Sequence, residues 1–225
     1  MDGRAMSMLG KAWAKNVAAV SEGCLIPESL KDNMDRTQAF GNGSYRMKLS
    51  EFPNYRLSKQ GFRADGSRRL MEAALAGDLS HPALQVLQHL HLSYWNISQA
   101  SLQAIKQTAL ASAPDAPVLT DSAVLSALLW RHITKARQLS SRGVESTCLL
   151  NVVNVCRRLE PPLPLNYPGN ALCHAKTSAR TTDVESEKPL YELASQISDS
   201  IDWWTSERIW GFIGAIETTP HVGKV

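Results

Sequence analysis

A mixed α/β fold is the class this sequence predicts, and three observations carry the prediction. Apolar residues recur at three- and four-residue spacing in several separate segments, as they do along one face of an α-helix. Between two such segments lies CLLNVVNV, Cys148 to Val155, whose β-branched content suits a buried or half-buried strand. No internal repeat or heptad array runs through the chain, so a helical bundle describes it less well than interspersed helices and strands.

In chain order, Met6, Leu9, Trp13, Val17 and Val20 share one helical face and predict a helix from about Ala5 to Val20. Gly23 stands just beyond it as a stop signal. The stretch from there to Arg69 is polar and broken by Pro27, Pro53 and four glycines, which favours loops and gives no ground for assigning chemistry. Pro82 suits the first turn of a short helix, where its missing N–H costs little. Leu90 to Tyr94 alternates apolar and polar positions and reads as a strand. Ser98 then caps a helix carrying Leu102, Ile105, Ala109 and Leu110. Pro114 and Pro117 stop it, because each removes a backbone donor and restricts the residue before it.

A third helix is expected from Ser122 to Arg137, with Leu125, Leu128, Leu129, Ile133 and Ala136 toward a core. After the Cys148–Val155 strand, the prolines of PPLP at 161–164 demand loop or edge structure, and Gly169 permits a close approach that a side chain would obstruct. Leu190, Leu193, Ala194, Ile197, Ile201 and Trp204 predict one face of another helix.

The chain has 225 residues, 44% of them hydrophobic, enough for a substantial core or two modest domains. Its 24 Lys and Arg against 21 Asp and Glu give a net charge of +3 with no long basic block, so nucleic-acid binding is not the default. No run of eighteen apolar residues occurs, and the opening MDGRAMSMLGKAW has no secretory-signal pattern, so a soluble cytoplasmic protein is expected. The four cysteines, Cys24, Cys148, Cys156 and Cys173, lack CxxC spacing and read as reduced core or subsurface side chains.

His89 and His91 would share one strand face, but no third ligand stands at informative spacing, and no metal is expected. His132 and His174 read equally well as buried polar groups and as site residues. Dinucleotide, phosphate-loop and GxSxG signatures are absent from the sequence. Asp2-Gly3 taken alone is a turn, and RRLEPPLPLNYPGNAL, Arg157 to Leu172, taken alone is a structural loop between strands.

Together these segments resemble the BAHD acyltransferases, especially the fungal branch related to trichothecene acetyltransferases. MDGRAMSMLGKAW looks like the end of the family's HxxxDG motif with its following helix. LTDSAVLSALLWRHITKAR and VNVCRRLEPPLPLNYPGNAL follow in the family's order and with family-like separation. The resemblance implies two chloramphenicol-acetyltransferase-like mixed-sheet domains, incomplete at both ends, with acyl-CoA and an acceptor meeting in a channel between them. Asp2 matches the motif aspartate and Gly3 its glycine; the motif histidine would lie four positions before Asp2, so no residue of this sequence matches it. Asn154, Cys156 and Arg158 occupy the family's Asp-x-Arg-x-Arg positions, and only Arg158 keeps the pattern, as a cofactor-binding or structural residue. The family's terminal DFGWG-like element does not occur in this sequence either.

The expected division is a first partial domain over 1–111, a crossover linker over 112–116 and a second partial domain over 117–225. The expected activity of the complete enzyme is transfer of an acyl group, acetyl above all, from acyl-CoA to a secondary-metabolite alcohol, with an amine as the less favoured acceptor. Asp2 would support the motif without replacing the histidine, so the 225-residue chain is expected to turn over weakly or not at all. A monomer, no prosthetic group, no metal and no membrane or nucleic-acid partner are expected. The alternative is a noncatalytic ligand-binding or interaction protein built on the same fold.

Overall fold

The computed structural model describes residues 3–23, 47–55, 75–77, 80, 85, 93–113, 115–164, 167 and 169–218. Helix α1 runs over Gly3–Ser21, and Gly23 follows with φ +68, the left-handed conformation that glycine adopts without strain. Helix α2, Gln99–Leu110, is capped as expected: Ser98 Oγ accepts from Ser101 N at 3.1 Å. Helix α3, Asp121–Ala136, begins one residue before the predicted start because Thr120 is its cap, its hydroxyl accepting from Ala123 N at 3.2 Å.

Strand β1, Ser146–Asn154, pairs antiparallel with strand β2, Leu172–Arg180, in a register running from Ser146 opposite Arg180 to Asn154 opposite Leu172. Odd-numbered positions on β2 turn inward and are small: Cys173, Ala175 and Thr177 are buried. That allows helix α4, Leu190–Asp202, to pack on the strand closely enough for Thr177 Oγ1 and Ser200 Oγ to lie 2.8 Å apart. The even positions of β1 face outward, leaving Leu150 55% and Val152 61% exposed. Helix α5, Ser206–Glu217, follows after a short turn, with Thr205 as its cap.

Among the described residues, two apolar clusters form the interior. One gathers Ala109, Leu119, Val124 and Trp130 from α2, α3 and the residues between with Leu193 and Ile197 of α4. The other gathers Val153, Val155 and Leu159 from β1 and the turn after it, with Trp204, Ile209 and Phe212 from the α4–α5 region. Phe52 joins this second cluster from far along the sequence. Helices α2 and α3 flank the expected linker at 112–116, and both contribute to the first cluster; within that linker Ala113 and Ala116 pack against it.

Between β2 and α4 a π-helical turn, Asp183–Glu187, is fastened to α3. Arg131 of α3 donates from Nε to the Val184 carbonyl at 2.9 Å and from its terminal nitrogen to the Lys188 carbonyl. Asp183, buried, accepts from Arg180 at 2.8 Å, and Glu185 accepts from Ser140 N at 3.2 Å and from the Ser140 hydroxyl.

Five expectations are revised. The buried face of α3 is Ala123, Val124, Ala127, Trp130 and Thr134, whereas Leu129, Ile133 and Ala136, expected toward a core, are exposed. Cys148 is exposed, not a core or subsurface side chain. Ser93 and Tyr94 are exposed and irregular, since no strand among the described residues pairs with them; Leu90–Leu92 lie outside the described residues. The helix expected to run through Trp204 stops at Asp202, Trp204 is fully buried beyond its end, and a further helix, α5, follows. The described residues form one sheet of two antiparallel strands, β1 and β2, so they display the α/β character but not the expected mixed sheet. Among those residues, no helix is long and apolar enough to cross a membrane.

Candidate functional site

The turn that leaves β1 is built by the residues at the Asp-x-Arg-x-Arg positions. Asn154 ends the strand, and its Oδ1 accepts from Cys156 N at 3.0 Å, closing the local turn a carboxylate oxygen would close equally well. Cys156 is buried in the aromatic cluster, a neutral small side chain where the family pattern has arginine. Arg158 reaches across to the end of α4: its Nη2 lies 3.2 Å from Asp202 Oδ1, and Nη1 donates to the Trp204 carbonyl at 3.5 Å. Its side chain is 32% exposed and that of Asp202 69%, so water competes for both partners.

Further along the same loop, Gly169 sits under the ring of buried Tyr167. A Cβ at Gly169 would lie 2.4 Å from the tyrosine Oη and 2.5 Å from its ring, so only glycine fits.

On β2, His174 is the most heavily bonded residue of this region. Its backbone N–H donates to Tyr55 Oη at 3.0 Å. Its carbonyl accepts from Asn54 Nδ2 at 3.1 Å and from Trp204 Nε1 at 3.2 Å. Its imidazole Nδ1 lies 3.3 Å from the same Tyr55 oxygen. Burial pushes the Tyr55 phenol up to about 12, against the smaller opposing effect of the His174 amide, so at neutral pH it is a protonated hydrogen-bonding partner and not a base. Burial likewise pushes the Cys173 thiol up to about 12, which leaves it an unreactive thiol.

Of the sequence-predicted site residues, Asp2 lies outside the described residues. Gly3 is the first residue of α1. His89 and His91 also lie outside the described residues, while His132 is exposed on α3, where its Nδ1 meets the Leu128 carbonyl at 2.8 Å. The described residues bring Arg158 toward Asp202 and His174 toward Tyr55. They contain no group of three or more His, Cys, Asp or Glu side chains suited to a metal. Sequence reading missed Asn54 and Tyr55, because they come from a polar stretch with no periodicity and their partner is some 120 residues away.

A model of the Transferase family matches residues 71–221, more than half of the chain. The chain belongs to the Transferase family. Acyltransferase clz6 of Cochliobolus lunatus is 25% identical over 245 residues, covering 97% of this chain and 47% of that protein. Acyltransferase M4 of a Phoma strain is 24% identical over 240 residues, with the same 97% and 47% coverage. The chain thus spans 47% of the length of these two transferases. The solved structure of F. graminearum TRI101 complexed with ethyl coenzyme A matches with a TM-score of 0.50 at 18% identity, over 57% of this chain and 28% of that one. The relationship to fungal BAHD-like acyltransferases and their α/β fold is thereby shown.

Proposed function

We propose that this chain forms part of an acyl-CoA-dependent O-acyltransferase that moves an acyl group, acetyl in the first instance, to the hydroxyl of a small secondary metabolite. The observation that carries the reading is the continuous family match over residues 71–221, which spans the β1 turn, Gly169 and β2. TRI101 of F. graminearum has been solved with ethyl coenzyme A and with coenzyme A and deoxynivalenol, and those ligands supply the model for the substrate classes.

In this proposal the complete enzyme has two chloramphenicol-acetyltransferase-like domains with a channel between them. Asp2 and Gly3 are the end of HxxxDG, and the histidine four positions upstream takes the proton of the acceptor hydroxyl. The hydroxyl oxygen then bonds to the thioester carbonyl, the tetrahedral intermediate collapses, and the C–S bond breaks to release CoA thiol. Asp2 orients that histidine. Arg158, whose contact with Asp202 links the β1 turn to the end of α4, is in this reading a structural or cosubstrate-side residue. Acyl-CoA is a cosubstrate here, and the mechanism asks for no metal.

The test compares the 225-residue polypeptide with a longer version that restores HxxxDG upstream and a DFGWG-like segment downstream. Both receive acetyl-CoA and a panel of fungal alcohols, with product detected by mass. Turnover is expected from the longer version, falling about 10²–10⁴-fold when its motif histidine is changed to alanine, with little or none from the 225-residue polypeptide. Comparable turnover by both polypeptides would sink the assignment of the base, and hydrolysis without transfer would sink the assignment of the reaction.

A further inference from the structure

Residues Met47–Tyr55 are fastened to the C-terminal elements by contacts of three different kinds. Phe52, 1% exposed, lies stacked near Trp204 with ring centroids 6.1 Å apart, and edge-on to Trp203 at 6.0 Å. Asn54 and Tyr55 hydrogen-bond the carbonyl and the amide of His174 at 3.1 and 3.0 Å. Met47 lies over Gly211 of α5 so closely that an added Cβ there would fall 2.1 Å from its sulfur and 3.3 Å from its own Cβ.

Each kind of contact answers a need of the C-terminal elements. A sheet edge with unpaired amide and carbonyl groups is a template for unwanted pairing, and Asn54 and Tyr55 occupy those groups on β2. The gap at Gly211 is helix surface that its own side chain cannot fill, and Met47 fills it with a flexible, polarisable group. Phe52 completes an aromatic cluster that Trp203, Trp204 and Phe212 otherwise leave open on one side.

We propose that Met47–Tyr55 is a strap belonging to the same folding unit as β2 and α5, and that it fastens the chain leading from α1 onto the sheet edge. The division between the two halves of the protein then lies ahead of Met47, not at 112–116. The sharing of one core by α2 and α3 across 112–116 agrees with this placement.

Native-state hydrogen exchange on the 225-residue chain across a denaturant series tests it. The amides of Phe52 and Tyr55 are hydrogen-bonded within the strap, to the carbonyls of Leu49 and Phe52, and so report its opening. Their exchange is expected to merge with that of the β1–β2 ladder and α5 as denaturant rises, while α1 follows its own course. Strap amides that exchange with α1, or that open on their own about 100-fold faster than the ladder, would overturn the proposal. Gly211→Ala is expected to speed strap exchange about tenfold or more, and Met47→Ala in the same chain to reverse that gain. A Gly211→Ala protein with folded α5 and an unchanged strap would equally overturn it; if that variant does not fold, the wild-type merging decides.

Discussion

Arg158→Ala is expected to cost little stability, and the structure sets the magnitude. Had the guanidinium neutralised a buried carboxylate, its removal would strand a charge and cost about 3–5 kcal/mol. Its partner Asp202 is instead 69% exposed, and the 3.2 Å contact is shared with water. Exposed ion pairs contribute about 0.2–1 kcal/mol, and the 3.5 Å contact with the Trp204 carbonyl lies at the outer limit of a hydrogen bond. The whole substitution should therefore cost about 1 kcal/mol, including the lost packing of the arginine stem. Urea denaturation followed by tryptophan fluorescence measures it, because the turn at Trp203 and Trp204 is what Arg158 touches or approaches. Raising the salt should shrink the difference, as screening weakens an exposed pair. A double-mutant cycle with Asp202→Ala isolates the pair itself. A loss above about 2 kcal/mol, insensitive to salt, would refute the reasoning and return Arg158 to a buried, desolvated role.

Gly169→Ala should destabilise by about 1–3 kcal/mol, because the new Cβ meets the Tyr167 ring and not a movable chain end, and in a double-mutant cycle followed by thermal melts that cost should largely vanish when Gly169→Ala is made in a Tyr167→Ala background. At alkaline pH, Tyr55 and Cys173 are held neutral in the fold, their ordinary values of 10.0 and 9.0 both raised to about 12. Their contribution is complete below pH 9 and is lost as pH rises toward 12, so Tyr55→Phe and Cys173→Ala should each flatten the alkaline limb of a stability profile. At acid pH the sign reverses for Asp183: burial acts against its charge, but the hydrogen bonds of Arg180 and Glu187 and the charges of Arg180 and Lys188 together outweigh burial and bring its carboxyl below the usual 3.8. Its stabilisation is present above 3.8 and is lost as pH falls through the lowered value, so Asp183→Asn should flatten the acid limb of the same profile.

Local patterns found the elements whose cause is local. Helix α2 was legible because Ser98 is its cap; α3 was legible as a helix, but its buried face is Ala123, Val124, Ala127, Trp130 and Thr134 and not the leucine-rich one the spacing marked. Gly23 and Gly169 were legible because glycine at such points answers a steric need close by in sequence. Strand β2 was not legible. LCHAKTSAR has few β-branched residues, and what makes it a strand is its register with β1 and the small inward side chains that admit α4. Helix α5 was hidden by Gly211 and Gly214, which lower helix propensity; Gly211 stands there because Met47 needs the space. For the candidate site, the turn residues Asn154, Cys156 and Arg158 were visible through family resemblance. The Tyr55–His174 pairing was not, since no periodicity links residues some 120 positions apart.

That separation also bears on the order in which the chain is made. Phe52 and Tyr55 leave the ribosome long before Trp204 and Phe212, the residues that cover them. At about 5–20 residues per second, the interval is roughly eight to thirty seconds. Throughout it, two aromatic side chains wait without these neighbours, and for most of it the β2 edge that Tyr55 pairs with has yet to be synthesised. Holding chaperones have their natural point of action in that window, and slowing translation between the codons for Tyr55 and Trp204 would lengthen the exposure without altering a single residue of the finished protein.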